Sequence, residues 1–149
     1  MSSDQVIGID LGGTAIKLAR FTAAGELLAE MEVPTPQPAV PGAVTIALCE
    51  AIEQLDPRGS ADRVGVGLPG PMDAAARVAR VCINLPGWEE VPLAEWLEVR
   101  LQRRVTLAND GNCAVVGEAW RGAAQGFSDV VLLTLGTGAG GGVLLGGHL

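Results

Sequence analysis

The chain has 149 residues, of which 48% are hydrophobic, so it can bury the core of one domain. The net charge is −7, and the sequence holds three Trp, two Phe and no Tyr. Because nucleic-acid binding needs basic patches and stacking rings, this composition argues against a nucleic-acid partner.

The first third of the chain predicts three strands and a helix. Residues 6–10 and 16–21 form strands on either side of a Gly12-Gly13 turn, and residues 27–33 form a third strand. A proline-rich loop over residues 34–38 leads to the helix. Six apolar residues share one face of this helix: Val44, Ala47, Leu48, Ala51, Ile52 and Leu55.

The middle of the chain predicts a strand and a short helix. The strand spans residues 63–68 and ends at Pro69-Gly70-Pro71, where the chain turns. The helix begins at Pro92, since proline suits the first turn of a helix. Four residues of this helix are expected to face inward: Leu93, Trp96, Leu97 and Leu101.

The last part predicts a strand over residues 105–108, a helix that ends near residue 124, and a hairpin. Small residues on one helix face permit close approach to the sheet: Cys113, Ala114 and Gly117. Residues 130–149 contain no Asp, Glu, Lys or Arg, as in a membrane span, but seven of them are glycine, which weakens a helix. We therefore predict a β-hairpin and no membrane partner.

The cysteines and the single histidine argue against a zinc site and favour a reducing compartment. Cys49, Cys82 and Cys113 are far apart in the sequence, and His148 is the one histidine. Without a Cys-x-x-Cys pair, a closed zinc site within this chain is not expected. An odd number of scattered thiols and the lack of a basic segment before the first apolar stretch predict a cytoplasmic protein without a signal peptide.

Two glycine-rich loops, each between two apolar strands, are the most informative motifs. Without a Cβ, successive backbone N–H groups can turn toward one point and bind an anion. The pair predicts two lobes that hold the phosphates of one nucleotide. Lys17, the only lysine, is either a phosphate contact or a solvated strand residue. Six loop residues are candidates for phosphate contacts: Gly12, Gly13, Thr14, Gly136, Thr137 and Gly138.

Asp10 precedes the first loop and is the candidate metal ligand. If it is buried like its neighbours Ile9 and Leu11, it needs a cation, a metal-bound water or hydrogen-bond donors. Beside a phosphate loop, it is placed to hold hydrated magnesium. The alternative is that Asp10 only caps the glycine turn.

Asn109 and Asp110 lie where a strand meets a helix, the kind of edge at which open α/β sheets bind ligands. Asp110 is the candidate general base, accepting a hydroxyl proton as that oxygen attacks phosphorus. Asn109 offers a donor and an acceptor for a second hydroxyl. The alternative for both residues is capping of the helix N-terminus, which is compatible with these roles.

Gly70 and Asn84 are weaker candidates for substrate contacts. The Pro69-Gly70-Pro71 segment is either part of a site or a rigid turn. Asn84 begins the segment Asn84-Leu85-Pro86-Gly87-Trp88. Either the side-chain amide of Asn84 reaches a sugar hydroxyl, or the segment is a loop whose tryptophan packs on the core.

Taken in order, these motifs resemble the ROK family of sugar kinases, and within it the bacterial ATP-dependent glucokinases. The resemblance covers residues 7–149 and rests on five motifs: Ile9-Asp10-Leu11-Gly12-Gly13-Thr14 with Lys17, Leu68-Pro69-Gly70-Pro71, Asn84-Leu85-Pro86-Gly87-Trp88, Asn109-Asp110-Gly111-Asn112-Cys113-Ala114, and the second glycine loop.

The resemblance implies an α/β fold of the ribonuclease H-like, actin-like ATPase type, with a mixed sheet, antiparallel N-terminal strands and flanking helices. It also implies phosphorylation of a hexose, glucose above all, at the 6-hydroxyl with ATP and Mg²⁺. Asp110 would then be the catalytic base and Asn109 a sugar ligand, with both glycine loops on the phosphates. Lobe closure would exclude water from the reaction.

The resemblance also implies that family members are about twice as long as this chain. We expect residues 1–124 to form the N-terminal small lobe and residues 125–149 the first hairpin of the larger lobe. The family's Glu-x-x-His segment, its cysteine-rich zinc motif and most of its adenine pocket have no counterpart here. The isolated chain is therefore expected to have little or no kinase activity, and to self-associate through the exposed hairpin or to exchange that hairpin between two copies.

Other functions remain open at this point. The ROK family includes sugar-responsive transcriptional repressors, which carry a helix-turn-helix module ahead of the first glycine loop; only five residues precede Val6 here. A nucleotide-binding or assembly ATPase on the same fold is a further alternative. Among kinases, the open substrates are glucose, fructose, allose, N-acetylmannosamine and other N-acetylhexosamines, and polyphosphate is an alternative donor.

Overall fold

The computed structural model describes residues 5–135 and 139–149. Its elements follow in chain order: β1 Gln5–Leu11, β2 Ala15–Thr22, β3 Leu27–Pro34, α1 Pro41–Leu55, β4 Ala61–Leu68, β5 Ala79–Val81, β6 Glu89–Val91, α2 Leu93–Leu101, β7 Arg104–Asn109, α3 Asp110–Arg121, β8 Val130–Leu135 and β9 Ala139–Leu144. By their contacts they form two units, the first ending at Ala108 and the second spanning Asn109–Leu149.

The main sheet is mixed, as predicted. Its strand order is β3-β2-β1-β4-β7. β1 pairs antiparallel with β2, β2 pairs antiparallel with β3, and β1 pairs parallel with β4. Because parallel strands end at the same edge of a sheet, the loops that follow β1 and β4 lie side by side. The small pair β5–β6 was not predicted.

The core lies between one face of the sheet and helices α1 and α2. Alternation along β1 buries Ile7, Ile9 and Leu11, and the predicted apolar face of α1 is buried at Val44 and Leu48. In α2, Leu93 and Leu97 are buried as expected. Trp96 is 40% exposed, so the prediction that it faces inward was wrong. Ala94, which was not predicted to face inward, is buried.

A buried aspartate joins several elements at the amino-terminal ends of β4 and β7. Asp56 follows α1 and accepts hydrogen bonds from the guanidinium groups of Arg20 (2.7 Å) and Arg103 (2.9 Å). It also accepts the backbone N–H groups of Ser60 and Ala61. Burial pushes the pKa of Asp56 upward, but these hydrogen bonds and the two cations more than offset it and lower the pKa below its ordinary value.

The second unit consists of α3 packed on the β8–β9 hairpin, and both the helix and the hairpin were predicted. Close approach occurs at Gly111, where a β-carbon would collide with the carbonyl oxygen of Gly141. The predicted small-residue face was wrong, since Cys113 and Gly117 are exposed. The helix also ends at Arg121, before the expected residue 124.

No helix within residues 5–135 and 139–149 is long and apolar enough to cross a membrane.

Replacing Asp56 with Asn should destabilise the protein by about 3–5 kcal/mol, because the fully buried carboxylate is the counter-charge of two partly buried guanidinium groups. Since the pKa of Asp56 is lowered in the folded state, its contribution is present above the ordinary value of 3.8 and is lost as the pH falls through the folded-state pKa. Urea unfolding at pH 7 and pH 3 measures both effects, and the difference between wild type and variant should shrink at pH 3.

Asp62→Asn is the matched control, because Asp62 is exposed and pairs with Arg104 at 3.4 Å on the surface. Its effect should stay within about 0.5 kcal/mol. Equal losses in the two variants would contradict the role assigned to Asp56.

Candidate functional site

The first glycine loop connects β1 to β2 and contains the predicted residues Gly12, Gly13 and Thr14. The N–H of Gly12 donates to the carbonyl oxygen of Ala15 (3.0 Å), which closes the turn. Gly13 and Thr14 are exposed. Their N–H groups donate to no acceptor within the described residues, so they are the two backbone donors that the loop can offer to an anion.

Asp10 and Lys17 lie opposite each other on β1 and β2, and both are exposed. Strand alternation turns Asp10 away from its buried neighbours, Ile9 and Leu11. Together with Glu32 on β3, Asp10 and Lys17 line an open cavity of about 700 Å³. The predicted metal residue and the predicted lysine therefore share one face of the sheet.

Asp10 suits magnesium as a single ligand. Mg²⁺ usually keeps several waters and is bound by one or two carboxylates together with phosphate oxygens. An exposed carboxylate one residue before the end of β1 fits that requirement, with the first glycine loop directly following. Across residues 5–135 and 139–149, no three His, Cys, Asp or Glu residues cluster as a complete metal site.

Gly70 follows β4 and lies against the backbone of the next strand. Its φ is +146°, a backbone conformation that residues other than glycine rarely adopt. A β-carbon there would collide with the carbonyl oxygen of Val81. The turn after β4 is also tied to β5, because the N–H of Arg80 donates to the carbonyl oxygen of Pro71 (3.0 Å). Gly70 is thus required by close backbone approach, whatever else it contacts.

Asn84 belongs to a loop held by a buried tryptophan. Trp88 is 1% exposed, and its indole N–H donates to the carbonyl oxygen of Ala39 (2.8 Å). The N–H of Cys82 donates to the carbonyl oxygen of Trp88, which closes the loop around the exposed Asn84. The expected core packing of the tryptophan is confirmed.

The Asn84 loop lies beside the first glycine loop. The position of a β-carbon on Gly13 is 3.9 Å from Cδ2 of Leu85, the residue after Asn84. Since β1 and β4 end at the same edge, the structure brings together three predicted segments of the first unit: the glycine loop, the Gly70 turn and the Asn84 loop.

An ion pair that the sequence did not reveal holds the chain between Gly70 and β5. Arg77 forms a bidentate pair with Glu98 of α2 and also donates to the carbonyl oxygen of Val105 in β7 (3.0 Å). Glu98 accepts the N–H of Val105 as well. The hydrogen bonds from Arg77 and Val105 lower the pKa of Glu98 to about 2. Nothing in the sequence spacing of Arg77 and Glu98 indicates that they pair.

In the second unit, Asn109 and Asp110 form the junction between β7 and α3. Asn109 is the N-cap, since its side-chain oxygen accepts the N–H of Asn112 (3.1 Å). Asp110 is the first helical residue and is exposed, with one carboxylate oxygen accepting the N–H of Gly111 (2.8 Å). The predicted capping role of Asn109 is confirmed, and it fixes the orientation of its amide. The carboxylate of Asp110 stays accessible to a reacting group.

The second glycine loop, with Gly136, Thr137 and Gly138, lies outside the described residues.

Comparison with known proteins gives a consistent result. The model of the ROK family matches residues 6–149. A glucokinase from Halalkalibacterium halodurans is 34% identical over the whole chain, which spans 46% of that protein. An N-acetyl-D-glucosamine kinase from Salmonella newport is 40% identical over 94% of the chain and 46% of its own length. The chain thus spans about half the length of these relatives.

A solved structure shows the same fold. The ROK family glucokinase from Streptomyces griseus, in complex with glucose and AMPPNP, matches 96% of this chain and 45% of its own chain with a TM-score of 0.89 and 34% identity. The expected actin-like ATPase type of α/β fold is thereby confirmed.

Replacing Gly70 with Ala should destabilise the protein by about 1–3 kcal/mol, because the added carbon meets the Val81 carbonyl and the backbone conformation becomes strained. Thermal unfolding measures the change. Gly65→Ala is the control, since a β-carbon at Gly65 has no heavy atom within 4 Å. A Gly70→Ala protein as stable as the Gly65→Ala protein would contradict this account of the turn.

Proposed function

Since the chain belongs to the ROK family, we propose that it is part of a sugar kinase that transfers the terminal phosphoryl group of ATP to a hexose, with glucose phosphorylated at its 6-hydroxyl as the leading reaction. The observation that carries the proposal is the exposed carboxylate of Asp110, fixed at the start of α3 directly after the capping residue Asn109. The glucokinases among the relatives support the same reaction.

Asp110 acts in this proposal as the general base. It accepts the proton of the attacking sugar hydroxyl, late in a reaction whose transition state is loose. Asn109 contributes its oriented amide to a neighbouring hydroxyl of the sugar. Because Asp110 is held by backbone bonding at a strand-to-helix junction, it keeps one orientation and loses little entropy when substrate binds.

The phosphates are held by the first unit in this proposal. The N–H groups of Gly13 and Thr14 bind phosphate oxygens, and Asp10 holds a hydrated magnesium ion. Such an ion neutralises phosphate charge during transfer. Lys17 supplies a nearby cation on the same face as Asp10. Gly12 shapes the turn, and Gly136, Thr137 and Gly138 complete the phosphate contacts.

The Gly70 turn and the exposed Asn84 are the remaining sugar contacts in this proposal. Their position beside the glycine loop places a hydroxyl-binding surface next to a phosphate-binding one. An N-acetylhexosamine is the second candidate substrate, because one relative at 40% identity is an N-acetyl-D-glucosamine kinase. Hydroxyl and acetamido groups are discriminated by buried polar partners, which both lobes of a kinase supply.

We further propose that residues 1–124 are the small lobe and residues 125–149 the first hairpin of the large lobe in a cytoplasmic protein about twice this length. On that basis the chain alone has little or no kinase activity, since each half holds only part of the site.

Asp110→Asn in the complete protein should lower kcat for sugar phosphorylation by about 10²- to 10⁴-fold, the usual contribution of a general base. The affinity for ATP should change little, because Asp110 contacts the sugar hydroxyl. A coupled assay of ADP release across glucose, fructose, allose, N-acetylglucosamine and N-acetylmannosamine measures the rate and identifies the substrate.

Glu118→Gln is the control variant on the same helix, since the Glu118 carboxylate accepts the N–H of Ala123 near the helix end. Residues 1–149 alone, assayed in parallel, should release almost no ADP. A wild-type protein that phosphorylates none of the sugars, or an Asp110→Asn protein of normal rate, would refute the proposed function.

The isolated chain should self-associate through the hairpin, and the complete protein should be a homo-oligomer. Apolar side chains of β8 and β9 are exposed: Val131, Leu133, Leu135 and Val143. Exposed apolar strands associate readily. Light scattering of residues 1–149 should give a mass above the monomer value of 15.2 kDa. The Leu133→Lys variant should return the mass to the monomer value. A monomeric wild-type chain would contradict this expectation.

A further inference from the structure

The first glycine loop is bonded to the segment after β3 through three consecutive carbonyl oxygens. The hydroxyl of Thr35 donates to the carbonyl oxygen of Gly12 (2.7 Å). The side-chain amide of Gln37 donates to that of Gly13 (2.9 Å). The backbone N–H of Thr35 donates to that of Thr14 (2.9 Å) and so continues the pairing of β2 with β3.

These bonds determine where the N–H groups of the loop point. In a trans peptide, the carbonyl of one residue and the N–H of the next point in opposite directions. The only cis bond in the described part of the chain is Gln37–Pro38, so the loop peptides are trans. The Gly12 carbonyl directed at Thr35 therefore turns the Gly13 N–H the opposite way. The Gly13 carbonyl directed at Gln37 does the same for the Thr14 N–H.

Thr35 is unusual for its burial. Within the described residues, only Thr35 and Asp56 are buried polar or charged residues, and Thr35 is 4% exposed. Removing its hydroxyl would leave the Gly12 carbonyl without this donor and let that peptide rotate. A glycine loop has little side-chain packing to hold it, so it depends on such bonds for a single conformation.

We propose that Thr35 and Gln37 are positioning residues for phosphate binding: by holding the carbonyl oxygens of Gly12 and Gly13, they direct the N–H groups of Gly13 and Thr14 toward the phosphates of the nucleotide. This inference rests on the proposed kinase function for its substrate. Neither residue needs to touch the nucleotide, because each acts through the peptide that it holds. The glycine motif gives no indication of either residue, because both lie outside the loop.

Steady-state kinetics of the complete protein test the proposal. Thr35→Val removes the hydroxyl at nearly constant volume and should raise the KM for MgATP about five- to tenfold, the loss of about one hydrogen bond. The KM for the sugar should stay within about twofold of wild type, and Thr35→Ser should restore the KM for MgATP. Gln37→Met should act in the same direction by about two- to fivefold and carries little risk of misfolding, since Gln37 is exposed.

Thr45→Val is the matched control. Thr45 makes the same kind of bond, from its hydroxyl to the carbonyl oxygen of Pro41 (2.8 Å), but within α1. It should leave both KM values unchanged. If Thr35→Val and Gln37→Met change the KM for MgATP no more than Thr45→Val does, or change both KM values equally, the positioning role is refuted and the bonds serve stability alone.

A binding experiment separates this inference from the kinase function. The complete protein is labelled with ¹⁵N at glycine and threonine and titrated with pyrophosphate. The amide signals of Gly13 and Thr14 should shift in the wild type. The affinity for pyrophosphate should be at least severalfold weaker in the Thr35→Val variant. Those shifts support the inference even if no sugar is phosphorylated. Identical titrations of wild type and Thr35→Val would overturn it even in an active kinase.

Discussion

The position of β1 in the sheet is the constraint on which the first unit depends. β1 pairs antiparallel with β2 on one side and parallel with β4 on the other. The antiparallel pair can close through a short glycine turn, whereas the parallel pair requires a crossover, which α1 supplies. As a result, the first glycine loop and the Gly70 turn lie at one edge of the sheet. The charged cluster around Asp56 lies near the amino-terminal ends of β4 and β7.

This arrangement separates the residues that stabilise the fold from those proposed to bind ligand. The exposed groups at the edge that holds the loops include the N–H groups of the glycine loop, the polar side chains of Asp10 and Asn84, and the apolar side chain of Ile83. Hydrogen bonds from three other side chains fix these loops: Thr35 and Gln37 hold the glycine loop, and Trp88 holds the Asn84 loop. Rigid support of this kind is what lets a glycine-rich segment serve as a binding surface.

Local patterns in the sequence were sufficient for much of the fold. The strands around the Gly12-Gly13 turn, the apolar face of α1 and the cap at Asn109 all follow from periodicity and turn chemistry within a few residues. The errors arose where tertiary contacts decide. Trp96 is apolar at a helical spacing, yet it is 40% exposed, and the core contacts of α2 are made by Leu93, Ala94 and Leu97 instead. The pairing of Arg77 with Glu98 and the burial of Asp56 join distant segments, and no local pattern indicates them.

The buried indole of Trp88 also gives the protein an internal optical reporter. Trp88 is 1% exposed, whereas Trp96 and Trp120 are 40% and 53% exposed. An aqueous quencher such as iodide would therefore suppress the fluorescence of the two outer rings and leave the emission of Trp88. Since that ring is anchored in the loop that carries Asn84, rearrangement of the loop can be followed in solution without an added dye.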